Sequence, residues 1–266
     1  MDAPRIHPQF RTALAQIERD LTDVEGLLAR RDVRFLAMCA AHPRAQGEIL
    51  EIGAYRGKST ITLAKAAELA GGQSVISVDP LHCEEPPDHP ATQAIRRRIE
   101  ENLTRKGVRH RVEFHQQYSH DFAQTWNRPI RLLWVDGDHR LAGVKRDLAD
   151  FTPWLQDGAI LVMHDVLSLW DGCSKAFIDD VLSSAHYGQC GVYGNIGWAQ
   201  YRANPADTEK YLARKQRLMA GLRPLLPFQH AGSARLHGFK KLQFRFLRWS
   251  AQSRRLPPEQ WLQQVA

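Results

Sequence analysis

The sequence predicts an α/β chain with a doubly wound, mostly parallel sheet, on three observations. Glu48-Ile49-Leu50-Glu51-Ile52 opens into Gly53-Ala54-Tyr55-Arg56-Gly57-Lys58-Ser59. Leu132-Leu133-Trp134-Val135 runs into Asp136-Gly137-Asp138-His139. Ile160-Leu161-Val162-Met163 runs into His164-Asp165. Apolar runs this short, bounded by Gly and acidic residues, read as buried parallel strands. Ligands of open α/β sheets sit outside the carboxyl ends of the strands. Three strand ends therefore aim a glycine loop, several carboxylates and two histidines at one crevice.

The elements follow in order. Phe10 to Ala41 has helical patterning, with Ile17, Leu21, Val24 and Leu28 on one face. Ile49–Ile52 is the first strand, and Thr60–Ala70 is a helix stopped by Gly71-Gly72. Ser74–Val78 is a second strand ending at Asp79-Pro80, followed by a polar loop from His82 to Pro90. Ala91–Lys106 reads as a charged helix and Val112–His115 as the third strand. Leu132–Val135 and Ala159–Met163 are the fourth and fifth, joined by a helix over Val144–Leu155. Gly188 to Tyr201 reads as a C-terminal antiparallel hairpin. In the tail, Phe239, Leu242, Phe246 and Trp249 fall on one helical face, flanked by Lys240, Lys241, Arg245 and Arg248. Such a helix belongs on a membrane surface, on a partner, or packed on its own domain. Strand-helix alternation makes the body a Rossmann-like fold. The expected organisation is a helical cap over 1–47, a ligand-binding domain over 48–201 and a basic helical extension over 202–266.

Composition narrows the function classes. With 266 residues and 43% apolar content, the chain can build a substantial core. No apolar run approaches the roughly 20 residues of a membrane span, and Met1 to Arg5 lacks the apolar core of a secretion signal. Cys39, Cys83, Cys173 and Cys190 are scattered, so reduced thiols in a cytoplasm are expected rather than a zinc or disulfide framework. The net charge of +7 is uneven. Residues 202–266 hold 13 Lys/Arg against 3 Asp/Glu, whereas the preceding part is slightly acidic. The basicity of the tail points to an anionic partner, and the acidic body argues against nucleic acid.

Gly53-x-x-x-Gly57 lacks the middle glycine of the dinucleotide fingerprint. A pyrophosphate on the helix N-terminus is therefore not expected. A looser loop suits a nucleoside with a compact side arm, and S-adenosylmethionine is such a ligand. Glu51 is then placed to take its amino group, and Asp79 to accept its ribose hydroxyls. Ser59 either binds the methionine carboxylate or caps the helix. Tyr55 packs on the methionine portion or on the sheet.

Glu51-Ile-Gly53-Ala-Tyr55-Arg-Gly57-Lys-Ser59 resembles the first motif of class I S-adenosylmethionine-dependent methyltransferases, and its later portion is similar to the catechol O-methyltransferases. Asp136-Gly-Asp-His139 followed by His164-Asp165-Val166 resembles the metal-dependent small-molecule O-methyltransferases that include the macrocin and mycinamicin sugar enzymes. The resemblance implies a divalent cation held by Asp136, His164 and Asp165, with Asp136 also on the cofactor side. It implies adenine contact at Ser119, for which a turn serine is the bland alternative. Where the resembling enzymes carry Asp or Glu, this chain has His164. An imidazole favours Mn²⁺, Fe²⁺ or Zn²⁺ over the Mg²⁺ otherwise expected. His139 stands at the offset of a catalytic base, and a neutral imidazole there removes a proton from a metal-bound hydroxyl. Its structural alternative, shared with Asp138, is a helix cap. Trp170 and Asp171 are candidates for the acceptor pocket.

The reading is a metal-assisted O-methyltransferase acting on a sugar, a polyketide or a phenol-like natural product, expected as a homo-oligomer. One alternative is a hydroxylase-like metalloenzyme on the same fold, because His164, Asp136 and Asp165 approach a His-plus-carboxylate iron site. Others are an RNA methyltransferase using the basic tail and a noncatalytic cofactor-binding scaffold.

Overall fold

The computed structural model describes residues 5–81, 88–230, 236–253 and 255–266. Its elements are, in order, α1 (Phe10–Asp20), α2 (Arg30–Ala41), β1 (Glu48–Ile52), α3 (Lys58–Ala67), β2 (Val75–Val78), α4 (Pro90–Arg105), β3 (Val112–His115), α5 (Ser119–Ala123), β4 (Ile130–Val135), α6 (Leu141–Phe151), β5 (Leu155–Met163), α7 (Asp171–Ala176), β6 (Tyr187–Tyr193), β7 (Ile196–Tyr201), α8 (Leu212–Leu222), α9 (Gly238–Ala251) and α10 (Pro258–Gln264). A π-helical turn, Phe177–Leu182, extends α7. Most of the polar loop expected from His82 to Pro90 lies outside the described residues.

Seven strands form one sheet in the order β3-β2-β1-β4-β5-β7-β6. β7 runs antiparallel to both of its neighbours, and the other pairings are parallel. The expected doubly wound sheet with a C-terminal hairpin is therefore the observed one. Chain direction across the sheet reverses between β1 and β4, which is where such folds open a crevice. Register brings the strand ends level: Ile52 lies beside both Val78 and Val135, and Val135 beside Met163. Gly53, Asp79, Asp136 and His164 each follow one of these residues, and the ladder continues through their amides. Gly53 donates to Val78 (2.9 Å), Asp136 to Ile52 (2.8 Å) and His164 to Val135 (3.0 Å).

Side-chain alternation divides the core between the two faces of the sheet. On one face Ile49, Trp134, Val162 and Trp198 pack beneath the helices that carry Phe10, Phe35, Ile61 and Trp261. On the other, Leu50, Ile52, Leu133 and Leu161 pack beneath Val144, Phe151, Phe177 and Leu222. The helical patterning of Phe10 to Ala41 is divided in two. Leu21, Val24 and Leu28 stay buried in the connecting segment although it is not helical. Asp32 starts the second helix by accepting the Ala29 amide at 3.2 Å. The predicted stripe of Phe239, Leu242, Phe246 and Trp249 lies on α9 but faces outward, and Phe244 on the opposite side is the residue packed into the core. The last helix returns to the sheet: the ring of Trp261 lies 6.0 Å from Phe35 and 6.1 Å from Trp198. No helix among the described residues is long and apolar enough to cross a membrane.

Candidate active site

The glycine loop lies against the end of β4. Gly53 has φ +89°, and a Cβ there would fall 2.2 Å from the Asp136 carbonyl oxygen. Only glycine combines that backbone region with so close an approach. Gly57, at φ +84°, is the N-cap of α3. Ser59 is thus already inside the helix, and its expected capping role falls to the glycine. Asp79 closes the loop from β2: Oδ2 accepts the amides of Ala54 and Tyr55 (both 2.7 Å), and Oδ1 accepts that of Leu81 (2.7 Å). Oδ1, with a single donor, keeps a lone pair for a further one. Tyr55, at φ +50°, leaves its ring half-exposed beside the loop.

Glu51 does not reach the crevice. It alternates with Leu50 and Ile52 and so points toward α3, the face that Ile49 also occupies. There it is fully buried, accepting the hydroxyls of Thr60 (2.5 Å) and Ser77 (2.6 Å), with Ser59 as a third donor. Burial pushes its carboxyl up to about 7 even against these hydroxyls. The expected contact with a cofactor amino group is therefore not what this geometry offers; Glu51 and Ser59 tie the loop's helix to the sheet. Ser119 opens α5 and donates to Asp147 at 2.5 Å. Burial likewise pushes the Asp147 carboxyl up to about 7.

Asp136, His139 and Asp165 converge at the ends of β4 and β5, each offering a ligand atom within 4.8 Å of the others. His139 Nε2 lies 3.4 Å from both Asp136 Oδ1 and Asp165 Oδ2. Its ring stands 5.6 Å from that of Trp170, which brings the expected acceptor-side aromatic to the same place. Burial disfavours charge on His139, but the Asp136 hydrogen bond and the two carboxylates outweigh it and raise its pKa. Asp165 sits at φ +56°, and its Oδ1 accepts from the Asn195 side chain in the β6–β7 turn. Asn195 further fixes the segment by accepting the amides of Val166 (3.1 Å) and Leu167 (3.1 Å).

His164 takes a different position from the one expected. It is 6% exposed, and its Nδ1 donates to Asp136 Oδ1 at 3.1 Å. Its Nε2 stands 3.6 Å from Asp32 Oδ2 on α2. Burial opposes its charge, but the surrounding Asp136, Asp32 and Asp165 carboxylates push it up to about 11. The structure brings His139 to the open side of the cluster and leaves His164 buried behind Asp136, outside the group of converging ligand atoms. Asp32 and Asn195 were not foreseen from the sequence. Asp32 carries a faint signal, a charged residue among the apolar positions of its helix. Asn195 carries another, a turn asparagine between two glycine-containing strands.

Residues 50–166 match a protein-family model described as a methyltransferase domain. The matched stretch runs from β1 to the residue after Asp165. Solved structures share the fold at low identity. The O-methyltransferase TomG of Streptomyces achromogenes, involved in tomaymycin synthesis and solved with S-adenosylmethionine, is 19% identical, with 75% of this chain and 92% of that one covered and a TM-score of 0.51. A methyltransferase of Podospora anserina bound to S-adenosylhomocysteine is 15% identical (76% and 91% covered, TM-score 0.52). An O-methyltransferase of Bacillus cereus, also with S-adenosylhomocysteine, is 17% identical (74% and 92% covered, TM-score 0.50).

Proposed function

We propose that the methyltransferase domain matched over residues 50–166 moves a methyl group from S-adenosylmethionine to a hydroxyl of a small molecule, aided by a divalent cation. The observation that carries this reading is the meeting of Asp136, His139 and Asp165 beside the Gly53 loop. Donor and acceptor would thus share one crevice. Gly53 and Gly57 shape the loop around the nucleoside, and Asp79 Oδ1 accepts a ribose hydroxyl. The donor set suits the cation: two converging carboxylates supply oxygen ligands and compensate a double positive charge. Asp136 and Asp165 would hold it.

When bound, such a cation lowers the pKa of an acceptor hydroxyl and fixes its orientation. The acceptor oxygen attacks the methyl carbon in line with the departing sulfur. The new O–C bond forms as the S–C bond breaks, leaving S-adenosylhomocysteine. His139, at the open side between the two carboxylates, takes the hydroxyl proton. Alignment of oxygen, methyl and sulfur supplies most of the acceleration. His164, hydrogen-bonded to Asp136 from the buried side, holds that carboxylate in place. An acceptor with adjacent hydroxyls, as in sugars and catechol-like natural products, suits a cation that can be chelated by both.

Calorimetry with S-adenosylmethionine, with and without Mg²⁺, followed by turnover measurements on a panel of vicinal diols, tests the proposal. We expect cofactor binding to survive chelation and turnover to be lost. Full turnover in EDTA would remove the cation from the reaction, and the absence of cofactor binding would remove the reaction itself.

A further inference from the structure

Helix α9 has two apolar faces. At 3.6 residues per turn, Phe239, Leu242, Phe246 and Trp249 fall within an arc of about 80°. Phe244, Leu247 and Ala251 lie roughly opposite, and these pack on the sheet-side core, with Phe244 5.8 Å from Phe228. The outer stripe is open to solvent: Phe239 is 79% exposed, Leu242 62%, Phe246 64% and Trp249 50%. Four large apolar side chains in one stripe are more than scattered surface hydrophobes. A helix that is apolar on both sides belongs between two apolar media.

Charge identifies the second medium. No Asp or Glu occurs between Tyr211 and Pro258, whereas that segment holds eleven Lys and Arg. Arg245 is exposed beside the stripe, and Lys240 and Lys241 are exposed in the first turn of the same helix. A second copy of the chain, docked by a twofold axis on this helix, would set the same cations against each other. A nucleic acid would satisfy the cations but would gain little from the aliphatic Leu242. An anionic bilayer satisfies both features, because its headgroups attract Lys and Arg while its interface accepts Phe, Leu and Trp side chains.

We propose that α9 lies in the plane of an anionic lipid surface, inserting Phe239, Leu242, Phe246 and Trp249. The helix is well fixed for that purpose. Just beyond its end, Gln252 accepts from Arg31 at 2.8 Å, and Ser253 donates its amide to Val192 at 2.8 Å. These contacts hold it beside the β6–β7 turn, whose Asn195 positions Asp165. A docked helix therefore brings the rim of the methyltransferase crevice to the membrane surface.

Co-sedimentation of the full chain with vesicles tests this. Binding is expected to vesicles of phosphatidylcholine doped with phosphatidylglycerol, to weaken with salt, and to be absent with phosphatidylcholine alone. Replacing Leu242 and Phe246 together by Ser should weaken it about tenfold or more, with an unchanged circular dichroism spectrum because both side chains are exposed. The pair Lys240→Glu and Lys241→Glu should do the same. Failure of the parent chain to sediment, or unaltered sedimentation of either double variant, overturns the proposal. So does self-association, or an RNA mobility shift, that the Ser variant abolishes while vesicle binding persists.

Discussion

His139 and His164 are both near Asp136, yet their surroundings divide their roles. His139 has its ring at the open crevice, and His164 is enclosed by Asp136, Asp32 and Asp165. Replacing His139 by Ala should lower kcat by about 10²–10⁴-fold and remove the acidic limb of the rate profile while leaving cofactor affinity intact. A variant that keeps its rate but loses metal affinity would make His139 a ligand instead. Glu51 gives a second prediction at this scale. Burial pushes its carboxyl up to about 7, above the ordinary 4.5. The folded state therefore holds the proton more tightly, and the associated stability is complete below about pH 4.5 and lost as pH rises through about 7. The loss amounts to about 3 kcal/mol. Denaturant titrations of Glu51→Gln between pH 5 and 8, a window taken from that shift, should show a flatter decline than the parent chain. An equal slope would refute the assignment.

Among the elements, the loop from β1 into α3 is the most constrained. Its approach to the β4 end depends on Gly53 having no Cβ and a positive φ. Gly53→Ala should destabilise the protein by about 1–3 kcal/mol from backbone strain. It should also weaken S-adenosylmethionine binding, because relief of the clash moves the loop away from Asp136. Calorimetry on the folded variant checks this, and parent-like affinity would show that the loop does not form the cofactor's seat. The sequence revealed this element through its two glycines. The sequence expectation turned Glu51 toward a cofactor amino group, although alternation along β1 puts residue 51 on the face of Ile49. His164 follows the same parity, sharing a face with Val162, so its orientation toward α2 is a consequence of the strand.

At the scale of the whole molecule, the sheet gathers contributions from both ends of the chain. Asp32 from the second helix reaches His164, and Trp261 from the last helix fills the core beside Phe35 and Trp198. Trp261→Ala should cost about 3–5 kcal/mol, the usual penalty for emptying an aromatic core position. It should lower the midpoint of a single unfolding transition. A separate, early transition would instead mean that the C-terminal segment folds independently of the sheet.

By itself the sequence determined the strands, their order of occurrence and the chemistry of their ends, because apolar runs, glycines and acidic stops are local signals. It placed Asp79, Asp136, His139 and Asp165 at one rim through the rule that strand ends face the ligand. Only the tertiary structure decided which carboxylates enclose His164 and that His139 stays at the open side. It also decided that Asn195 braces Asp165 and that the α9 stripe faces outward. Those outcomes depend on contacts between residues far apart in the chain, and nothing in a local pattern specifies which distant carboxylate or helix will arrive beside a given side chain.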